Sequence, residues 1–374
     1  MRIAQVAPLY EAVPPKLYGG TERIVSYLTE ELVKQGHDVT LFASGDSKTA
    51  AKLEPGVERA LRLNDDVVDP LARHILQLQQ VIEKAPEFDI IHFHNDYLHF
   101  PFSAAMGYAN ITTLHGRLDL PDLPAIYRKF NKQPLISISN NQRKPLPFAN
   151  WVRTIYHGLP TGLYAPGSGD GDYAAFIGRI SPEKRVDRAI EIARRAGIKI
   201  KIAAKVDKAD KQYFETEIKR LFDLPFVEYI GEIGEDQKGE FLGKAKALLF
   251  PIDWPEPFGM VMIEAMACGT PVIAFNNGSV PEVIDARKTG FIVDSIEEAV
   301  KALNSIHLVD RSEIRAIFEE RFSVSRMAND YLEAYEQVMA ARKKEKGSRR
   351  LNLKNLLPEK GINFEKIKAA IFSL

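Results

Sequence analysis

The sequence holds one cysteine, no surplus of either charge and no long apolar run. The lone Cys268 excludes an intramolecular disulfide framework and suits a reducing compartment, leaving stability to packing. Within Glu264-Ala265-Met266-Ala267-Cys268-Gly269 it reads as a small buried hydrophobe rather than a reactive thiol. Lys plus Arg and Asp plus Glu each number 50, which removes the global electrostatic footprint of a nucleic-acid binder. No window approaches the ~18 apolar residues that span a bilayer. The opening Met1-Arg2-Ile3-Ala4-Gln5-Val6-Ala7-Pro8 soon meets Glu11, Pro14 and Pro15, so it reads as a first strand and not as a signal peptide. These absences lead to the expectation of a cytoplasmic chain with no nucleic-acid partner.

What is present is the material of a folded enzyme: 374 residues, 45% hydrophobic and 27% charged. At roughly 100 to 200 residues per domain the length suggests two cores. A strand at residues 2 to 8, a glycine-ended loop, and a helix face of Ile24, Leu28 and Leu32 open the chain. Gly36 stops that helix, and Asp38 to Ala43 is the next strand. Runs at Asp89 to His94, Ile111 to His115, Leu135 to Ser139 and Val152 to His157 are apolar on both faces, as parallel strands covered by helices require. Ala165-Pro166-Gly167-Ser168-Gly169-Asp170-Gly171-Asp172 breaks the pattern and reads as an interdomain linker.

The alternation then restarts, with strands near 174–177, 198–203, 227–230, 247–251, 271–275 and 291–293. The expected fold is α/β: two Rossmann-like, doubly wound domains, residues 1–158 and 159–324, facing across a cleft that takes the ligand. An amphipathic helix over 325–341 is expected to return toward the N-terminal domain. The tail 342–374 opens with a basic stretch from Arg342 to Lys354, in which Arg342, Lys343, Lys344, Lys346, Arg349, Arg350 and Lys354 stand against Glu345 alone, and beyond it Phe364, Ile367, Ile371 and Leu374 recur on one helical face. It has two readings: peripheral contact with anionic lipid, or a solvated extension.

The chemistry concentrates in Pro255-Glu256-Pro257-Phe258-Gly259-Met260-Val261-Met262-Ile263-Glu264, a loop running into a helix. Gly259 lets the backbone approach a ligand, and the helix start at Phe258 to Val261 offers unpaired N–H groups and a positive dipole end to an anion. Glu256 before the helix and Glu264 inside it are carboxylates suited to sugar hydroxyls. Glu, seven residues, Glu, followed by Ala-Met-Ala-Cys-Gly-Thr-Pro-Val, resembles the signature of the large retaining glycosyltransferase family numbered four, which has the GT-B fold. The resemblance covers roughly residues 1 to 340 and implies a metal-independent hexosyl transfer from a nucleoside diphosphate sugar, most commonly a UDP-sugar, to an acceptor hydroxyl. The acceptor is not named by the sequence.

The resemblance extends to Gly178-Arg179-Ile180-Ser181-Pro182-Glu183-Lys184, where Arg179 and Lys184 would neutralise the leaving diphosphate without a metal. Gly19 and Gly20, which do not form a Gly-x-Gly-x-x-Gly fingerprint, would approach the donor phosphate. Glu256 would hold the sugar and Glu264 the ribose. His115, at a strand's carboxyl end, resembles the family histidine beside the transferred sugar. Ser139, Asn140 and His94 are candidates for lining the same cleft. His92 and His94 alternate onto one face near His99, yet no cysteine or well-spaced carboxylate completes a zinc site, so no metal is expected. Asp170-Gly171-Asp172 reads as linker rather than as a metal-binding pair. Two other readings stand beside transfer: a nucleotide-sugar epimerase of the same fold, and a non-catalytic sugar-nucleotide binder.

Overall fold

A computed structural model describes residues 1–16, 19–64 and 66–356. Seven strands form the first sheet: β1 (Arg2–Val6), β2 (Asp38–Ser44), β3 (Lys52–Val57), β4 (Ile90–Phe93), β5 (Asn110–Thr113), β6 (Leu135–Ser137) and β7 (Trp151–Thr154). Their order is β3-β2-β1-β4-β5-β6-β7, and every pairing is parallel. Six more form the second sheet: β8 (Tyr173–Arg179), β9 (Lys199–Lys205), β10 (Val227–Gly231), β11 (Leu248–Phe250), β12 (Val272–Phe275) and β13 (Gly290–Val293). Their order is β10-β9-β8-β11-β12-β13, again parallel. The two doubly wound sheets are the expected ones, and both reverse strand order beside their first strand, where ligands bind outside the carboxyl ends.

Five helices matter for the site: α1 (Gly20–Lys34), α2 (Val186–Ala196), α3 (Glu235–Lys244), α4 (Met260–Ala267) and α5 (Val324–Leu356). The apolar face read from the sequence of α1 is buried at Ile24, Leu28 and Leu32. Strand β3 was not expected. Its Pro55-Gly56 interrupts apolar periodicity, and the strand is tolerated because it pairs on one side only, at the sheet edge.

The linker expectation is corrected. Residues 166–172 are tied to the second domain: Gly167 N donates to Cys268 O, Gly169 N to Gly243 O and Gly171 N to Lys244 O, each at 2.9 Å. A Cβ on Gly167 would lie 2.2 Å from Gly243 Cα, so this glycine serves close backbone contact rather than flexibility. Asp172 pairs with Lys199 at 2.6 Å. The chain crosses between the sheets at Leu159, which forms a parallel bridge with Ser323 where the chain crosses back.

From that crossing α5 packs on the first sheet. Tyr331 and Tyr335 are fully buried, and their hydroxyls bond Thr113 Oγ1 at 2.9 Å and His92 Nδ1 at 2.8 Å. The helix does not end near Ala341 but continues to Leu356. The Phe364, Ile367, Ile371 and Leu374 face lies outside the described residues. No helix among the described residues is long and apolar enough to cross a membrane. Gly167→Ala should destabilise the protein by about 1–3 kcal/mol through overpacking against Gly243, measured as a lowered urea midpoint at unchanged slope.

Candidate functional site

The carboxyl ends of both sheets open on one cleft of about 680 Å³. Its C-terminal wall begins where β8 ends in Gly178 and Arg179. The Arg179 guanidinium pairs with Glu183 at 2.9 Å and lies 3.6 Å from both Asp207 and Asp210. Arg185 takes the left-handed conformation (φ 54°) at the start of α2 and is held there by Asp187 at 2.9 Å and Asp253 at 2.8 Å. That turn delivers the neighbouring Lys184 to the cleft. Its ammonium lies 5.3 Å from the centroid of the Trp254 ring and donates to Glu256 Oε2. Trp254 Nε1 donates to the same oxygen at 3.0 Å.

The loop bearing Glu256 is clamped from behind. Gly278, at φ 61°, lies so close that a Cβ there would meet Glu256 N and O at 2.3 Å, and Ser279 N donates to Glu256 O at 3.0 Å. Gly259, at φ 80°, turns the chain into α4, whose first residues Met260 and Val261 line the cleft. Their N–H groups belong to the helix's unpaired first turn, an anion-binding end. Phe258 lines the cleft beside them and packs 4.8 Å from His157. Glu264 is buried and accepts from Lys238 Nζ at 2.7 Å. Thus Gly178, Arg179, Lys184, Glu256, Phe258, Gly259, Met260, Val261 and Glu264 are all brought to one wall.

The N-terminal wall comes from the loops after β1, β4 and β5. A Cβ on Gly19 would meet Pro15 Cβ at 2.8 Å, whereas nothing lies within 4 Å of one on Gly20, which opens α1 with room on its outer side. His94 and His115 are hydrogen-bonded, His94 Nδ1 to His115 Nε2 at 2.9 Å, and His157 stacks on His115. Burial pushes the His115 imidazole down to about 3 and His94 well below its ordinary range, so both are neutral at physiological pH.

Ser139 and Asn140 do not line the cleft; Ile138, one residue earlier, does. Ser139 Oγ accepts from Gln142 N at 3.0 Å, capping its own turn. Asn140 N donates to Glu282 Oε2 at 2.7 Å, a contact between the domains. Sequence reasoning also missed several groups. Arg23 pairs with Glu235 of α3 at 2.5 Å, and Tyr27 OH donates to the same carboxylate, joining the two walls. Lys238 shares α3 with Glu235, and their spacing of three was the one local sign that both face the same way. Among the described residues no group of three or more His, Cys, Asp and Glu is arranged to hold a metal. His92 and His99 spend both ring nitrogens on protein hydroxyls.

Two facing parallel α/β units with an anion-binding helix start in the cleft between them define the GT-B class of glycosyltransferase fold. Residues 166–321 match the family Glycosyl transferases group 1, and residues 18–158 match Glycosyltransferase Family 4. The chain belongs to glycosyltransferase family 4. It is 28% identical over 226 residues to D-inositol 3-phosphate glycosyltransferase of Saccharomonospora viridis, 51% of each chain. The matched stretch spans about half the length of such curated relatives. Among solved structures, sucrose-phosphate synthase from Thermosynechococcus elongatus superposes with TM-score 0.72 at 18% identity, covering 91% of this chain and 100% of that one. An Anabaena protein in complex with UDP and glucose gives TM-score 0.70 at 18% identity, covering 90% and 99%.

Glu22 on α1 lines the cleft, and burial raises its carboxyl to about 7. A raised folded value means the native state favours the protonated form, so wild-type stability falls as pH rises from the ordinary carboxyl range through about 7. Relative to wild type, Glu22→Gln should therefore gain stability, by roughly 3 kcal/mol at most, between about pH 4 and about pH 8, read from urea midpoints at both.

Proposed function

We propose that the chain transfers a hexosyl group from a nucleoside diphosphate sugar, with a UDP-sugar as the expected donor, to an acceptor hydroxyl with retention and without a metal ion. The observation that carries this reading is the convergence on one wall of a helix start, two cations and two carboxylates. The helix start and the pair Arg179 and Lys184 match a diphosphate, while Glu256 and Glu264 match hydroxyls. The bound UDP and glucose of the Anabaena structure support the choice of base and of a hexose.

Lys184 is held by Glu256. Arrival of the diphosphate exchanges that carboxylate for phosphate oxygens on Lys184 and releases Glu256 to accept from sugar hydroxyls. Glu264, buried beside Lys238, accepts from the ribose. The anomeric C–O bond to phosphate breaks as the bond to the acceptor oxygen forms on the same face, and the acceptor's proton passes to the leaving phosphate oxygen. Charge grows on the diphosphate in that step, so Arg179, Lys184 and the α4 N–H groups act more strongly in the transition state than in the ground state.

Arg179→Ala and Lys184→Ala should each lower turnover by ~10²-fold or more. Near-normal turnover in both would remove the assignment. Calorimetric titration with UDP, GDP and ADP, with and without chelator, should show one nucleotide bound and no effect of the chelator; chelator-sensitive binding would overturn the metal-free reading.

A further inference from the structure

Trp254 makes contacts at the site that the transfer step does not use. It stands in the loop after β11, in Asp253-Trp254-Pro255-Glu256-Pro257, and the backbone beside it is fixed. Asp253 N donates to Glu183 O at 2.9 Å, and the Asp253 carboxylate takes Arg185 at 2.8 Å and Arg188 at 3.4 Å. Asn277 Nδ2 donates to Ile252 O at 3.0 Å. Pro255 and Pro257 disfavour helical backbone at the residues before them, Trp254 and Glu256. Across Pro255 those two residues bond reciprocally: Glu256 N donates to Trp254 O at 2.8 Å, and Trp254 Nε1 donates to Glu256 Oε2 at 3.0 Å.

The donors are shared unevenly between the two carboxylate oxygens. Oε2 takes both Lys184 Nζ and Trp254 Nε1, while Oε1 takes no donor among the described residues. Glu256 lines the cleft, so Oε1 is the oxygen left open to a ligand hydroxyl. The two donors differ in what a diphosphate does to them. Lys184 carries a charge on a flexible stem and is drawn to phosphate oxygens, whereas an indole N–H is neutral and rides on a rigid ring.

We propose that Trp254 is a positioning residue: its indole N–H keeps the Glu256 carboxylate aimed at the transferred sugar once the diphosphate has drawn Lys184 away. Without that bond the released carboxylate turns about its own side-chain torsions or follows the ammonium, and Oε1 meets the sugar only part of the time. The effect is confined to ligands that carry a sugar, because a nucleoside diphosphate alone makes no contact that needs Glu256. The ring also faces two cations: Arg117 of the first domain lies 5.9 Å, and Lys184 5.3 Å, from its centroid. Phenylalanine at this position keeps that aromatic face and removes only the N–H. The role of Trp254 rests on the sugar-transfer reading of the cleft.

Trp254→Phe should leave the UDP Kd within about twofold, while the affinity gain of a UDP-hexose over UDP, and kcat/KM with it, falls by about tenfold. In a Glu256→Ala background the same change should add nothing, since Trp254 acts through Glu256. Additive losses, or an undiminished gain in the single variant, overturn the proposal. Nitrogen-15 NMR of the wild type gives a check that does not depend on how a variant folds. The chain has two tryptophans, and Trp151, which donates to Leu146 O at 2.9 Å, is outside the cleft lining and serves as internal reference. With UDP bound, the Trp254 indole proton should shift and remain protected from solvent exchange while that of Trp151 stays in place; exchange as fast as in a free indole overturns the proposal. Failure of the wild type to bind any nucleotide would sink the transfer reading and this role with it, whereas nucleotide binding with equal gains in wild type and Trp254→Phe sinks the role of Trp254 alone.

Discussion

Pairing of the cleft's cations with carboxylates is the constraint on which the rest of the site depends. Lys184 is held by Glu256, Lys238 by Glu264, and Arg179 by Glu183 with Asp207 and Asp210 nearby. Cations converging on one wall without such partners would repel one another and weaken the fold around them. Pairing them holds the wall together at these positions. The surrounding backbone keeps those pairs in register. Gly278 and Ser279 press the Glu256 loop forward, Gly259 aims α4, and the left-handed Arg185 sets Lys184.

The same logic ties the two domains. Glu235 receives Arg23 and Tyr27 at the cleft, while Glu282 receives the backbone N–H groups of Asn140 and Asn141 at 2.7 Å each and the Tyr156 hydroxyl at 3.0 Å. Each is a single carboxylate from the second domain meeting several donors of the first. Between them the chain crosses at Leu159 and returns at Ser323, side by side. These polar contacts lie beside an apolar one, in which Tyr156 and His157 of the first domain pack against Phe258 of the second.

The sheets were legible because buried parallel strands leave apolar runs, and the Glu256 to Glu264 segment because its spacing survives as a local pattern. What escaped depended on distance or on shape. Glu235 finds Arg23 across 212 residues and Lys238 finds Glu264 across 26, so neither contact leaves a mark in its own segment. Composition could not separate a flexible glycine from one packed back to back, as Gly167 is with Gly243. At the end of β6 the strand was recognised, but which of Ile138, Ser139 and Asn140 meets the cleft is set by the turn that Ser139 caps through Gln142. Pro55 and Gly56 concealed β3 because an edge strand does not need a full ladder.

The two walls differ in kind, and burial explains the difference. On the C-terminal side the charged groups keep their charge by pairing. On the N-terminal side burial strips the charge from the imidazoles, leaving His94 and His115 neutral and hydrogen-bonded to one another. An ionic wall discriminates poorly among hydroxyls but binds a diphosphate, while a neutral wall of fixed donors and acceptors reads hydroxyl geometry and offers a phosphate little. The cleft therefore joins two electrostatic environments, one charged and paired, one neutral and buried. Because Tyr335 of α5 accepts from Gln5, the last described element of the chain is tied directly to the first strand beneath that wall.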